Sequence, residues 1–340
     1  MISQVAKVTP NYTLHYIANR QNFVFKKKIS RPQFNCKCMN KSNDIYRSRI
    51  NKVIDYVNNN LNKSISLEEL AGIAFFSPFH FHRVFVAVTG ETVNHFTNRI
   101  RNEKAARLLK FSKKPISDIS IACGFSSAST LSRLFKQYFG ISPTEYRKGA
   151  LIKNSKIRKD LFPVNQYHCN MTDGELKNKF PVEIRQFPER RIAYIRVMDA
   201  FREGVVLNAF GDLVTWAKKM NLFQSETIFG MSMDDPEVTP KEKYRYEVCI
   251  TLPKKFIIDS DSFIETTTLP KCKYAVTAVS GDFNLVVAGT NYLFDNWLIN
   301  SEYECEPQHG LEVFLDKKNI CNWNHFDLEL CIPVKRLKNY

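Results

Sequence analysis

The stretch SPFHFHRVFVAVTGETVNHF (residues 77–96) recurs, with changes, as SASTLSRLFKQYFGISPTEY (residues 127–146). The offset is about 50 residues throughout, so Arg83 corresponds to Arg133 and Gly90 to Gly140. In each copy a serine suited to an N-cap opens a helical run and a glycine ends it, and a shorter helical run with a turn comes before. Each copy is therefore predicted to be a helix-turn-helix, whose second helix can enter a DNA major groove.

The apolar period divides each of these second helices into a buried and an outward face. The residues predicted to be buried are Phe81, Val84, Phe85, Val88, Leu131, Leu134, Phe135 and Tyr138. The residues predicted to contact DNA are Phe79, His80, His82, Arg83, Ala128, Ser129, Ser132, Arg133 and Lys136. Two of them are arginines, which suit bidentate pairing with guanine. His80 and His82 are two positions apart and point to different sides of a helix, so no metal site is expected there.

The segment between the two copies, Val93 to Leu109, is predicted to be one helix. At about 1.5 Å per residue it spans roughly 25 Å, a rigid spacer between two recognition helices. A capping box at Ser66–Glu69 indicates the first helix of the first unit. Ile116, Ile119 and Ile121 are expected to pack the first helix of the second unit. Residues 44–150 together predict an all-α domain of about seven helices.

Charge is unevenly distributed along the 340 residues. The net charge of +15 divides into +8 for residues 1–43, +8 for 44–148, +3 for 149–180 and −4 for 181–340. A basic repeated unit is what binding to a phosphate backbone requires. No apolar run reaches the ~20 residues of a membrane span, and no signal peptide pattern opens the chain. With an odd number of cysteines, nine, the sequence indicates reduced thiols in a cytoplasmic protein.

Two segments lack a clear apolar period. Residues 1–43 contain no acidic residue and are expected to be either a poorly ordered extension or a basic arm that adds phosphate contacts. The Cys36-Lys37-Cys38 pair is too short and isolated to predict a zinc site. Residues 151–180 are interpreted as a polar, basic linker with a short regular piece near residues 161–164.

The acidic part, residues 181–340, also contains a repeat, at an offset of about 82 residues. Each copy is predicted to run strand, strand, helix, strand, strand, from alternating β-branched and aromatic residues. The predicted elements of the first copy are strands 182–186, 191–197, 228–233 and 246–252 and a helix at 205–220. Those of the second are strands 263–267, 274–279, 311–315 and 327–334 and a helix at 286–299. Two such α+β halves are expected to pack about a pseudo-twofold axis, with a cleft where they meet.

The sequence ISDISIACGFSSASTLSRLFKQYFGISPTEYR (residues 116–147) resembles the signature of AraC/XylS-type bacterial regulators, and the resemblance extends back to about Arg47. In the monomeric branch of that family, base contacts come from positions that match Phe79, His82 and Arg83 in the first unit. The matching positions in the second unit are Ala128, Ser129 and Arg133. This sequence departs from the pattern at Ala128, which cannot hydrogen-bond a base, and at Phe79, which offers only apolar contact.

Residues 180–334 resemble the GyrI-like effector domain, mainly through LPKCKYAVTAVSGDF (269–283), the helix with Trp297, and GLEVF (310–314). The resemblance implies that Glu312 binds lipophilic cations in an aromatic cleft, which the chemistry supports because a desolvated carboxylate favours a cation. The other pocket residues expected are Tyr274, Phe283, Trp297 and Phe314. Alternatively, Glu312 is an outward residue on an edge strand. Glu247 and Glu329 correspond across the repeat and are expected in equivalent structural positions.

These patterns together predict a cytoplasmic transcription regulator, and more specifically an activator. We expect it to bind promoter DNA as a monomer, to contact RNA polymerase and to sense a small hydrophobic or cationic effector, without a cofactor. The alternative is a small-molecule hydrolase or drug-sequestering GyrI-like protein with accessory DNA binding. No Ser–His–Asp or Cys–His pattern is recognisable in the sequence, so we do not expect an enzyme.

Overall fold

The computed structural model describes residues 41–154, 171–235, 237–258, 264–321 and 323–337. Most of the segment 1–43, the Cys36–Cys38 pair and the piece near 161–164 lie outside the described residues. So does the predicted start of a strand at Phe263. The described chain forms two units, a helical unit up to residue 154 and a sheet unit from residue 171 onward.

The helical unit contains seven helices within its described residues, which confirms the predicted all-α arrangement. They are α1 Lys41–Asn59, α2 Leu67–Ile73, α3 Pro78–Thr89, α4 Val93–Phe111, α5 Ile116–Ala122, α6 Ala128–Phe139 and α7 Pro143–Arg147. Helices α2 and α3 form the first helix-turn-helix, and α5 and α6 form the second. The capping serines and glycines lie where the sequence predicts them.

Over the described residues, no helix taken singly is both long enough and apolar enough to cross a bilayer. Helices α2 and α3 taken together meet the length and composition expected of a membrane span, but the pair is bent by 75°.

Three of the four aromatic residues predicted to be buried in α3 and α6 lie in the core of the helical unit, whereas Tyr138 is half-buried. Phe81, Phe85 and Phe135 are fully buried, and Phe139 is buried beside Phe135 although it was not predicted to be. Ile121 is 70% exposed, so the prediction that it packs α5 is wrong. The helical period explains this, because a residue two positions after the buried Ile119 lies about 200° around the helix, on the opposite side.

Helix α4 is fixed to its neighbours by two arginines. Arg99, only 4% exposed, pairs with Glu91 (2.6 Å) at the start of the helix and with Glu103 (3.2 Å) one turn on. Arg101 donates to the carbonyl oxygens of Leu61 (3.1 Å) and Lys63 (2.8 Å) in the loop before α2. With 19 residues, α4 is about 28 Å long, so it serves as the predicted spacer.

The sheet unit contains nine strands within its described residues. They are β1 Glu183–Phe187, β2 Arg190–Val197, β3 Ile228–Ser232, β4 Tyr246–Thr251, β5 Glu265–Leu269, β6 Cys272–Gly281, β7 Tyr303–Cys305, β8 Leu311–Phe314 and β9 Phe326–Arg336. Its helices are α8 Asp173–Lys179, α9 Val205–Lys219 and α10 Phe283–Asn291. The described elements confirm the predicted α+β fold of two repeats.

The strand order β1-β6-β9-β8-β3-β4-β2-β5, with β7 added beside β9, shows the pseudo-symmetry directly. Apart from β7, exchanging each strand for its counterpart in the other repeat gives the same order read from the opposite edge of the sheet. At the centre, β3 and β8 are antiparallel, and Gly230 lies opposite Glu312. These two residues are also 82 positions apart, which is the offset of the repeat, so the local twofold axis passes between them.

The two long helices cover the same side of the sheet, called here the helix face. Helix α9 packs on β2 and β4, and α10 packs on β6 and β9. The central strands β3 and β8 therefore lie between the two helices. The other side, the opposite face, carries a separate apolar cluster that includes Tyr194, Phe229, Tyr274, Leu311 and Val313.

Several elements differ from the sequence prediction, among them the short strand β7, which was not predicted. Helix α8 lies inside the segment interpreted as a linker and begins with a capping box, in which Thr172 and Glu175 bond each other's backbone. The helix predicted at 286–299 begins earlier, at Phe283, and continues beyond Asn291 as a π-helix, Tyr292–Leu298.

Candidate DNA-binding surface and ligand site

Helix α3 presents most of its predicted DNA-binding side chains to solvent. Phe79 is 75% exposed, and His82 and Arg83 are also exposed. The Arg83 guanidinium lies 5.9 Å from the centroid of the Phe79 ring, so these two side chains form one surface. His80 is exposed too, but its ring packs against Phe76 at 4.7 Å, toward the body of the unit.

Helix α6 presents a second surface at the corresponding positions. Ser129, Arg133 and Lys136 are exposed, whereas Ala128 and Ser132 are half-buried. Within the described residues, neither Arg83 nor Arg133 makes a hydrogen bond or an ion pair. Their N–H donors are therefore available to a ligand in both copies.

The two helix-turn-helix turns use different residues at the same place. In the second turn Gly124 has φ +77°, and a Cβ there would lie 1.7 Å from the carbonyl oxygen of Leu61. In the first turn Phe75 takes the equivalent position, with φ 54° and 74% exposure. A positive φ is strained for a bulky residue, so the first turn is held by its surroundings rather than by its own preference.

Glu312 lies at the centre of the sheet, on the helix face. Strand β8 pairs with both β9 and β3, so Glu312 is not on an edge strand. Its carboxylate accepts a hydrogen bond from the Tyr246 hydroxyl. No lysine or arginine of the described chain pairs with it. Burial raises the pKa of the Glu312 carboxyl to about 7, and the hydrogen bond from Tyr246 opposes this rise.

Gly230 provides the space for this pair of side chains. A Cβ at Gly230 would lie 1.6 Å from the Tyr246 hydroxyl oxygen and 3.0 Å from Glu312 Oε2. Real Cβ atoms do not approach other atoms so closely, so the hydrogen bond between Tyr246 and Glu312 requires a glycine here. This is the close approach that a glycine inside a strand often marks.

Aromatic rings lie next to the Tyr246–Glu312 pair on the helix face. Phe314, two positions after Glu312, is predicted as a pocket residue and is 4% exposed. Phe210 of α9 lies 5.2 Å from the Phe314 ring, 6.4 Å from Tyr246 and 6.5 Å from Trp323. The arrangement places an acidic group near several aromatic rings, which suits an apolar cation.

The other predicted pocket residues lie farther from Glu312. Phe283 lies beside Phe326, with ring centroids 5.8 Å apart. Trp297 lies in the π-helix and stacks on Tyr303. Tyr274 belongs to the cluster on the opposite face with Leu311 and Val313. Because successive side chains of a strand alternate between faces, Tyr274 does not share a pocket with Glu312.

Four residues at this site were not predicted as pocket residues, namely Phe210, Tyr246, Trp323 and Gly230. Gly230 was not noticed. Its signal was available in the repeat, because a shift of 82 positions places Gly230 on Glu312.

Glu247 and Glu329 both lie on the opposite face, as equivalent positions require. Each is bound to an arginine. Arg196 Nε lies 2.8 Å from Glu247, and Arg185 Nη1 lies 2.8 Å from Glu329. Both carboxylates therefore have cationic partners, in contrast to Glu312.

Two helix-turn-helix units with available arginines, followed by a duplicated α+β domain with an enclosed carboxylate, define a DNA-binding regulator joined to a small-molecule domain. Residues 70–149 match the helix-turn-helix domain family, and residues 180–335 match the GyrI-like small molecule binding domain family. The multiple antibiotic resistance protein MarA of Escherichia coli is 31% identical over 35% of this chain and 91% of its own length. The chain belongs to the AraC family of transcription regulators and carries a GyrI-like domain.

Other similar proteins match one unit only. The probable transcriptional regulator LumQ of Photobacterium leiognathi is 36% identical over 29% of this chain, which spans 41% of LumQ. Among solved structures, the DNA-binding domain of AdpA in complex with a target DNA is 28% identical, with 30% of this chain and 92% of that chain covered and a TM-score of 0.29. The EcmrR C-terminal domain is 14% identical over 46% of this chain and 99% of its own, with a TM-score of 0.36.

Proposed function

We propose that this protein is a transcription activator that binds promoter DNA as a monomer and responds to a hydrophobic cation bound at Glu312. The observation that supports DNA reading is the pair Arg83 and Arg133. Both are exposed, both occupy the same place in their helices, and neither is paired in the described chain. An arginine with unpaired donors suits guanine O6 and N7.

The two recognition surfaces differ in chemistry and therefore read different half-sites. In the first, Phe79 offers an apolar contact, for example with a thymine methyl, next to Arg83. In the second, Ser129 hydrogen-bonds while Ala128 cannot. Lys136 carries charge without a planar fork and contacts the phosphate backbone. With α4 as spacer, the site covers roughly 20 base pairs on one side of the duplex.

The DNA assignment is tested by footprinting and by binding assays on specific and random duplexes. Arg83→Ala and Arg133→Ala should each cost ~1–3 kcal/mol on the specific site and relax the preference at one base. Lys136→Ala is the matched control, because it should weaken both duplexes alike and flatten the salt dependence. Equal losses on both duplexes for the arginine variants, or a footprint of a single half-site, would overturn the assignment.

Effector binding is supported by the Glu312 carboxylate, which has one neutral hydrogen-bond donor and no cationic partner among the described residues. A ligand ammonium can supply the missing charge, and the aromatic faces add cation–π attraction. We compare 1-naphthylmethylammonium with the neutral 1-naphthalenemethanol by calorimetry. Glu312→Gln should weaken the ammonium strongly and leave the alcohol nearly unchanged, since only the charge is removed. Equal effects on both ligands refute the role.

Activation requires a contact with the transcription machinery, and we propose RNA polymerase in the cytoplasm as that partner. Transcription from a footprinted promoter with purified polymerase, with and without the protein, tests this directly. A rise in transcript that Arg133→Ala abolishes supports activation. Repression, or no effect of bound protein, counts against it.

A further inference from the structure

Among the described residues on the opposite face of the sheet, Arg190 is a cation without an anionic partner. Arg190 begins β2 and points to the same face as Ile192 and Tyr194 of the apolar cluster. Its guanidinium carbon lies 4.7 Å from the centroid of the Phe187 ring and 5.3 Å from that of Phe229. The charge is thus stacked on two aromatic rings.

No acidic group of the described chain compensates this charge, nor does Arg190 make any hydrogen bond there. The titratable groups that act on it are a phenol, Tyr274, and two thiols, Cys331 and Cys249. Burial lowers the pKa of the Arg190 guanidinium, which agrees with a desolvated and unpaired cation.

The neighbouring arginines on this face show that the lack of a partner is particular to Arg190. Arg185 is held by Glu329 and Arg196 by Glu247. Leaving a charge unpaired in apolar surroundings is unfavourable, whereas a bound anion would relieve it. Of these three arginines, Arg190 is the one to which a ligand could supply the missing anionic partner.

The geometry also leaves donors and access for a ligand. A guanidinium stacked on rings keeps its N–H donors in its own plane, where a carboxylate can bind through both oxygens. The Tyr274 ring lies 4.9 Å from Phe187. Its hydroxyl donates a long hydrogen bond, 3.5 Å, to the carbonyl oxygen of His309, which a ligand carboxylate would replace. Phe187, Arg190 and Leu269 are only half-buried, so this end of the cluster opens to solvent.

We propose that Arg190 anchors a second ligand site, for an apolar carboxylate, on the face of the sheet opposite Glu312. The acid group pairs with the Arg190 guanidinium and accepts a hydrogen bond from Tyr274. Its apolar body lies against the rings of Phe187 and Phe229. The domain then accepts ligands of opposite charge on its two faces.

Calorimetric titration of the full-length protein with 1-naphthoate tests this site, and 1-naphthalenesulfonate and acetate show what the site requires. We expect naphthoate to bind, the sulfonate to bind more weakly because its three oxygens fit the planar fork less well, and acetate to bind much more weakly because it lacks the apolar body. Arg190→Met keeps a long apolar side chain and should reduce naphthoate affinity roughly 10- to 100-fold. Arg190→Lys should fall between wild type and Arg190→Met, because it keeps the charge without the fork.

Two controls separate this site from the others. Arg191→Met removes a neighbouring arginine whose hydrogen bonds within the described residues go to the carbonyl oxygens of Lys254 and Phe256. It should leave naphthoate binding unchanged. Glu312→Gln should also leave naphthoate binding unchanged. Conversely, Arg190→Met should leave binding of 1-naphthylmethylammonium unchanged. Failure of the proposal at one site is therefore distinguishable from failure at the other. Naphthoate that does not bind wild type, binds Arg190→Met as well as wild type, or is weakened equally by Arg191→Met overturns the proposal.

Discussion

Replacing Glu312 by glutamine should make the sheet unit more stable at alkaline pH. The carboxyl has a pKa of about 7 in the folded protein against 4.5 as an ordinary glutamate. Below pH 4.5 both states are protonated and the residue contributes nothing. Between these values the unfolded chain loses its proton first, so stability falls as pH rises, by about 1.36 kcal/mol per pH unit, and then levels off.

The difference between the two pKa values corresponds to a loss of about 3 kcal/mol in the free energy of unfolding at pH 8. Partial exposure of Glu312 reduces this loss to about 2–3 kcal/mol. Glu312→Gln should recover this amount, since its amide oxygen still accepts the hydrogen bond from Tyr246. All three tryptophans, at positions 216, 297 and 323, are in the sheet unit. Urea unfolding followed by tryptophan fluorescence at pH 8 and pH 4.5 therefore reports on this unit.

A matched control is Glu247→Gln, which removes a carboxylate from a pair with Arg196 in which both side chains are 1% exposed. It should destabilise by about 3–5 kcal/mol, because it leaves a buried guanidinium unpaired. The reasoning is refuted if Glu312→Gln is no more stable than wild type at pH 8. A gain of equal size at pH 4.5 would also refute it, since the effect would then not come from ionisation.

Three further outcomes follow from the same geometry. The affinity for 1-naphthylmethylammonium should fall about tenfold per pH unit below pH 7, because Glu312 takes up a proton. Calorimetry at pH 5.5, 6.5 and 7.5 measures this, and an affinity that does not change with pH contradicts the proposed role of Glu312. Gly230→Ala should destabilise the sheet unit by ~1–3 kcal/mol, because the added Cβ collides with Tyr246. Unfolding followed by tryptophan fluorescence measures this loss, and an unchanged unfolding midpoint would mean that Tyr246 does not need the space at Gly230. Gly124→Ala should destabilise the helical unit by at least ~1 kcal/mol, because the residue has a positive φ and the added Cβ collides with the Leu61 carbonyl. Thermal unfolding followed by circular dichroism measures this loss, and a variant that melts like wild type would disprove it.

Most elements of both units could be predicted, because their signals are local. Serine caps and closing glycines mark α3 and α6, and alternation marks strands such as β2 and β4. Because both units contain an internal repeat, each pattern occurs twice and each copy supports the prediction for the other. Helix α8 was missed because its seven residues have no apolar stripe and are marked only by the Thr172–Glu175 capping box. The exposure of Ile121 was missed because a two-turn helix gives too few residues to fix its buried face.

The site was harder to predict because it depends on how strands are arranged across the sheet. Alternation shows that Glu312 and Phe314 share a face within one strand. It does not show which face of the distant strand β6 is the same one, so Tyr274 was grouped with Glu312. That relation follows from the register through β9. The bond between Tyr246 and Glu312 likewise joins residues 66 positions apart, which no local pattern reveals.

The position of Glu312 beside the local twofold axis bears on stoichiometry. A residue beside such an axis faces its own counterpart, so a glutamate at position 230 would set a second carboxylate against the first, and two like charges at that distance repel. Glycine at position 230 removes the second charge and makes room for the Tyr246 hydroxyl. Within the described residues, the centre of the helix face therefore carries one carboxylate instead of two, and the proposed site would take up one cation per chain.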